Sequence, residues 1–518
     1  MITFYSDCYR TLEIFPRVSG SSALLTLSDG INFLRRRARN LDRVVFPLQK
    51  YTVYTLSLTD ATLSLAYLSD CDRLFDRGVR FLQEDGALLK TEAPSATRYH
   101  FTPFCGPMYA PGALCFYRNT CHLFYPCAPF SVSPDVFCLG HAVSRDMLHW
   151  HHLPLCFLPP AEIRQGRHTT GGILGGCAVA GEDRVRLYLS YSLSRPDDGL
   201  LREYILSAES RDMLHFSGET IIPGIRPPAG FGPVFRNPDF TETADGTYIL
   251  TASMREDRGV FLLFQQSGGQ WQYVHPLLRN ADFPLDYPNL FAIGRTHALL
   301  ATWPDAARWY TGTFQNTRFR IRQQGTLDFG KDFHAPTSVS HKGRRFLFGA
   351  ARHARCMTMP RELFTRAGRL LTRPAAEMCS VFDTVIYDSH IPGTFLLPAT
   401  SRVRLCGPTN FSLRFGTFVL RLTDGKLCME TRDSYRCIAA APLYMLELFS
   451  DGPILEVFVN DGESSGTFHI PDGQSVSLSC AGHSRLQIFQ ASAHAEEDVF
   501  PDPDAPTDTF DFTDYSSY

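Results

Sequence analysis

The chain has 518 residues, 44% hydrophobic and 20% charged, with a net charge of −3. That length is too great for one ordinary core and implies two to four domains. The near-neutral charge gives no reason to expect nucleic acid or an anionic membrane as partner, and no run approaches the ~18 apolar residues of a membrane helix.

The N-terminus, MITFYSDCYRTLEIFPRV, has no basic segment followed by an apolar stretch, so no signal peptide is read and a cytoplasmic protein is expected. Residues 1–97 alternate apolar and polar side chains, clearest in YTVYTLSLTDATLSLAYL at 51–68. They predict an N-terminal β-rich domain of unknown role. Within it the run Arg35-Arg36-Arg37 reads as a solvated face rather than an anion site.

The stretch PMYAPGA at 107–113 reads as a turn punctuated by Pro107, Pro111 and Gly112, with Leu114, Cys115 and Phe116 opening an apolar strand. Beyond it lies an internal repeat: SRDMLHW at 144–150 and SRDMLHF at 210–216. Each aspartate, Asp146 and Asp212, can accept from nearby backbone amides in an Asx-type turn, with Trp150 or Phe216 as a plug between layers. Two copies of a strand–turn–aromatic unit suggest blades of a β-propeller, here residues 98–390. Residues 391–493 alternate again, and Asp424-Gly425 and Asp461-Gly462 mark hairpins, so a β-sandwich is expected. The tail 494–518 carries eight acidic residues, no Lys or Arg, and three prolines. It reads as disordered, with docking through its Phe and Tyr residues as the alternative. The 15 cysteines are scattered through the chain, and many sit in apolar strands. They are predicted to be reduced and buried, because no Cys-x-x-Cys or His-x-x-x-His pair supports zinc.

Seven segments occur in an order that resembles glycoside hydrolase family 32, the invertases, levanases and inulinases. They are YHFTP (99–103), CHLFYPCAPF (121–130), GHAVSRDMLHWHHLP (140–154), REDRGVFLLF (255–264), GTLDFGKDFHAP (325–336), MTMPREL (357–363) and ILEVFVNDGE (454–463). The resemblance spans about residues 99–490. It implies an all-β fold, a five-bladed β-propeller followed by a C-terminal β-sandwich, with the N-terminal β-rich domain outside it. It also implies a retaining mechanism in which a nucleophile and an acid/base carboxyl stand ~5 Å apart, aided by a third carboxylate, with no metal or cofactor.

Carried over by motif, the nucleophile's position is Ala110, the third carboxylate's is Asn237 in Arg236-Asn237-Pro238, and the acid/base position is Asp286 in Asp286-Tyr287-Pro288. Of the three carboxyl groups only Asp286 remains. Family pocket positions are also changed, to Pro126, Ala128, Leu139 and Gly175. Arg236, Tyr109 and Asn237 are the predicted carbohydrate contacts.

Two functional readings result, both within sucrose- or fructan-type carbohydrate metabolism. One is a non-catalytic or severely impaired β-fructosidase that binds a carbohydrate or a partner, since alanine cannot attack an anomeric carbon. The other is an active glycosidase using Tyr109, or a water activated by Asp239, with Asp286 as acid. A purely structural role is the third. His141 and the His149, His151 and His152 group are read as packing and turn residues, Asp332 as a turn former, and His334 as a weak pocket candidate. The sequence leaves the oligomeric state open.

Overall fold

The computed structural model describes residues 1–84, 87–88, 97–106, 108–130, 135–164, 170–195, 199–279, 283–408, 410–432, 435–439, 442–471, 474–481 and 484–491. Pro107 and the acidic tail lie outside the described residues. Strands dominate, and among the described residues helix is confined to Leu74–Arg77, Ala161–Arg164 and Ala376–Val381. No helix of the described residues is long and apolar enough to cross a membrane.

Residues 2–81 form two four-stranded sheets, Ile2–Tyr5, Val53–Thr59, Ala23–Ser28 and Phe33–Ala38 in one, Val44–Pro47, Thr11–Val18, Ala61–Ser69 and Arg80–Phe81 in the other. The alternation read at 51–68 holds in Val53–Thr59, whereas from Leu63 to Ser69 both faces are buried. In Ala23–Ser28 every second side chain is buried, so Leu25 and Leu27 enter the core while Thr26 and Ser28 stay at the rim. Arg35, Arg36 and Arg37 are exposed, as a solvated face requires. These sheets dock on the central sheets through Tyr67, whose hydroxyl donates to Glu13 at 2.9 Å and accepts the Leu155 amide at 3.2 Å, and through the Val79 amide on the His152 carbonyl.

Those central sheets follow one another in chain order: one of eight strands over residues 113–221, whose two antiparallel halves start at Ala113 and Thr170, then three antiparallel sheets. Their first strands are Ala113–Tyr117, Thr170–Ala180, Phe235–Thr243, Asp286–Ile293 and Phe333–His341. These first strands touch one another in cyclic order, the fifth returning to the first. A short parallel pairing, Val136 with Gly171 and Phe137 with Gly172, joins the two halves of the eight-stranded sheet. The SRDMLH repeat has one local cause. Asp146 accepts the Leu148 and His149 amides at 2.9 and 2.8 Å, and Asp212 accepts those of Leu214 and His215 at the same distances.

Two six-stranded sheets complete the fold. One runs Thr384–Ser389, Arg485–Gln490, Thr400–Cys406, Met445–Asp451, Ile454–Val459 and Ser464–His469. The other runs Gly393–Leu396, Val476–Ala481, Asn410–Phe415, Phe418–Thr423, Lys426–Glu430 and Tyr435–Ala439. Leu405, Leu413, Leu420, Val457 and Leu478 share one buried cluster between them.

A buried ionic seam fastens these sheets to the central ones. Arg361 is fully buried; its Nη1 donates to Asp328 at 2.7 Å and its Nε to Glu456 at 2.8 Å. His100 bridges Asp451 at 2.8 Å and Glu456 at 2.9 Å. Burial alone would lower the pKa of His100, but the two carboxylates reverse this and hold it at about 9. A group raised in the folded state stabilises fully below its unfolded pKa, about 6.5, and loses that contribution as pH rises through its folded pKa. Unfolding free energy is therefore expected to fall between about pH 6.5 and about pH 9, and His100→Gln should flatten that limb in denaturant titrations across the window. Equal slopes in the two proteins would disprove the linkage.

Candidate carbohydrate-binding site

Four of the five inner strands open with the same three-residue device: Tyr109-Ala110-Pro111, Arg236-Asn237-Pro238, Asp286-Tyr287-Pro288 and His334-Ala335-Pro336. In the last three the middle residue has positive φ, 52° at Asn237, 52° at Tyr287 and 51° at Ala335. The strand register slips there, between Arg236 and Asp239, Asp286 and Asn289, and His334 and Thr337. Proline removes a ladder donor, and the bulge re-aims the neighbouring side chain. The first residues of those three triplets, Arg236, Asp286 and His334, are thereby turned toward one cavity of about 520 Å³, which Tyr109 also lines.

Asp286 is the centre of its polar wall. Arg236 donates to it through Nη2 at 2.6 Å and Nε at 3.1 Å, and the Asn237 side-chain amide also donates to it. On its other side Arg236 donates to Glu203 at 3.4 Å, and Glu203 accepts the Phe235 amide at 2.7 Å. Burial raises the Glu203 pKa, with Arg236 opposing it. Burial lowers that of Arg236, but Asp286 and Glu203 more than reverse this. One guanidinium thus bridges two carboxylates, and the predicted contacts Arg236 and Asn237 converge on the predicted acid Asp286. Glu203 escapes a reading of the sequence: it sits mid-strand in Leu200–Ser210 and no motif marks it.

The remaining wall combines apolar side chains with Tyr109, Tyr287, His334 and Arg352. Tyr109 packs edge-on to Phe137, with centroids 4.9 Å apart, so it faces the cavity, and burial raises its phenol pKa. His334 accepts from Arg352 at 2.8 Å; burial and that arginine push its pKa down to about 3, leaving it neutral. His334 is therefore a full member of the wall. The repeated X-X-Pro triplet is the signal that could have promoted it. Phe137 and Leu174 also line the cavity and carry no sequence signal.

Other positions lie elsewhere. Ala110 is fully buried and contributes nothing to the cavity wall. Pro126 does line it, whereas Leu139 belongs to a packed core. Asp239, suggested as a base, faces a separate cavity of about 510 Å³ on the far side of Asn237 and Tyr287, which border both. There it accepts from Asn289 at 2.9 Å and from the Leu290 amide at 2.7 Å. Burial raises its pKa to about 7. The histidines read as structural are so: His141 stacks on Phe124 at 4.4 Å, and His152 pairs with the Tyr125 hydroxyl at 3.0 Å. Asp332 accepts the His469 amide at 2.8 Å, holding the two parts of the fold together.

Gly175 sits in the second inner strand with φ +99°, and a Cβ there would stand 2.8 Å from the Gly112 Cα. The first two inner strands meet back to back at this glycine pair. Gly175→Ser, which would restore the residue that the family resemblance expects, should therefore lower stability by about 1–3 kcal/mol. A denaturation midpoint equal to that of the unmodified protein would refute the close contact.

Residues 100–374 match the description "Glycosyl hydrolases family 32 N-terminal domain". A raffinose invertase of Escherichia coli is 26% identical over 448 residues, covering 74% of this chain and 91% of that protein. A sucrose-6-phosphate hydrolase of the same organism is 28% identical over 445 residues, covering 73% and 91%. Among solved structures, a family 32 glycoside hydrolase from Bifidobacterium adolescentis superposes with a TM-score of 0.83 at 21% identity, over 95% of this chain and 99% of that one. Coverage that wide takes in the N-terminal sheets as well, which the sequence motifs left outside the resemblance. A β-fructofuranosidase from Bombyx mori gives 0.67 at 19% identity, over 77% and 94%.

Proposed function

The chain belongs to glycoside hydrolase family 32, and from that premise we propose that it binds a fructose-containing carbohydrate in the cavity between Tyr109 and Asp286 without hydrolysing it by double displacement. One observation carries the proposal: among the described residues lining that cavity, Asp286 is the sole carboxylate. A retaining reaction needs two, one attacking and one donating a proton. At the attacking position stands Ala110, fully buried and outside the cavity wall. Asp286 is itself engaged by Arg236 and Asn237.

The alternative of a tyrosine nucleophile draws no support from Tyr109, because burial disfavours the phenolate it would need. Water activation by Asp239 is opposed by its position in the other cavity. What remains suited to a sugar is a mixed wall, with Tyr109 and Phe137 for an apolar ring face and Arg236 and Asn237 for hydroxyls. The names of the relatives, raffinose invertase and sucrose-6-phosphate hydrolase, point to sucrose-type ligands.

In the same reading the cyclic contact of the inner strands forms a five-bladed propeller beginning near residue 98. The sandwich begins at Thr384, because Thr384–Ser389 pairs with Arg485–Gln490, and the N-terminal sheets form a domain of their own.

The test incubates the purified chain with sucrose, raffinose, inulin and levan, and follows both released sugar and heat of binding. Binding without turnover is the expected result, for the unmodified chain and for Asn237→Asp. Rapid release of fructose from sucrose by the unmodified chain would overturn the proposal.

A further inference from the structure

Away from the cavity, a hairpin at the edge of the second C-terminal sheet pairs Lys426–Glu430 with Tyr435–Ala439, and its register sets Cys428 directly opposite Cys437. The two Sγ atoms stand 2.7 Å apart, within about 0.7 Å of the ~2.05 Å disulfide bond. We propose that Cys428 and Cys437 form a reversible cross-strand disulfide, a redox-modification site on the edge of this sheet.

Four observations support it. The separation requires only a small adjustment of the side chains for the bond to close. Cys437 is exposed while Cys428 is buried, so an external disulfide can reach one sulfur and the second lies ready to resolve the mixed species. Directly opposed residues in an antiparallel pair have Cα atoms about 4.5–5.5 Å apart, towards the short end of the range natural disulfides use. Such bonds form and reduce readily rather than acting as permanent staples. The register also slips between Leu427 and Cys428, giving the pair room that a regular ladder lacks.

The chemistry balances with a small-molecule disulfide such as oxidised glutathione. The Cys437 thiolate attacks one of its sulfurs and releases one thiol. Cys428, losing its proton, then attacks the mixed disulfide at the Cys437 sulfur and releases the second thiol. The two cysteines are oxidised by two electrons, and the glutathione disulfide is reduced by two. The bond would pin the edge strand Tyr435–Ala439, whose Arg436 donates to the Phe329 carbonyl at 3.1 Å and so links this edge to the central sheets.

The full chain should be equilibrated with oxidised glutathione, alkylated, digested without reductant and mapped by mass spectrometry, with parallel hydrogen-exchange measurement. The expected result is one intramolecular link between Cys428 and Cys437, two fewer alkylated thiols among the 15, and exchange of the 435–439 amides slowed several-fold. Dithiothreitol should reverse all three, and Cys437→Ser should show none of them while keeping the melting profile of the reduced chain. Stable glutathione on Cys437 without the internal link would overturn the proposal. So would a Cys437–Cys437 link between two chains, or retention of both thiols.

Discussion

Arg361→Ala is expected to destabilise the protein by about 3–5 kcal/mol, the loss incurred when one member of a buried ion pair is removed and its partners are left charged. The guanidinium is fully buried and holds Asp328, Glu456, Ser465 and Thr467, while Phe333 and Phe458 flank it with ring centroids at 4.8 and 5.2 Å. Burial already drives the Asp328 pKa up, with Arg361 opposing it. Against the same upward push of burial, Arg361 and His100 hold Glu456 low. Without the arginine both carboxylates must be protonated or hydrated. Because Asp328 precedes the fifth inner strand and Glu456 lies in the sandwich sheets, the seam between them should open before either melts. Calorimetry should then resolve two transitions where the unmodified protein gives one. Adding Glu456→Gln to Arg361→Ala should recover part of the loss, since it removes a stranded charge. A loss below about 1 kcal/mol would mean that water already shares the seam.

The second large effect concerns the cavity. Arg236→Ala should weaken sucrose binding by about 10- to 100-fold, the range for a charge-assisted hydrogen bond of about 1.5–3 kcal/mol. The same change leaves Asp286 and Glu203 facing each other without the cation between them, so the site should also become acid-stabilised, tightening as one carboxyl takes a proton. Arg236→Lys should recover little, because an ammonium cannot span Asp286 and Glu203 as the planar fork does. Titration calorimetry at two pH values reads both parts. An affinity unchanged within about threefold would assign Arg236 a purely structural pairing with its two carboxylates and remove it from the ligand contacts.

How far the sequence reached differs between fold and site. Alternation in Ala23–Ser28 and Val53–Thr59, the Asp-Gly turns and the twin SRDMLH turns are written in neighbouring residues, because period-two burial and Asx turns depend on side chains a few positions apart. Asp424 and Gly425 both take positive φ, at 52° and 70°, as the hairpin reading needs. The site was legible only in part. Motif order brought out Arg236, Asn237, Asp286 and the alanine at 110, yet it assigned the triplets singly and so undervalued His334.

By itself, then, the sequence determined the strand-rich class, the local turns, the family and the alanine at 110. Tertiary structure alone decided which groups meet. Glu203 stands behind Arg236, Asp239 faces a different cavity from Asp286, Gly112 touches Gly175, Cys428 meets Cys437, and Arg361 joins two halves of the fold. The physical reason is that these contacts are set by strand register and by the packing of separate sheets against one another. Such long-range pairing has no periodicity of its own along the chain.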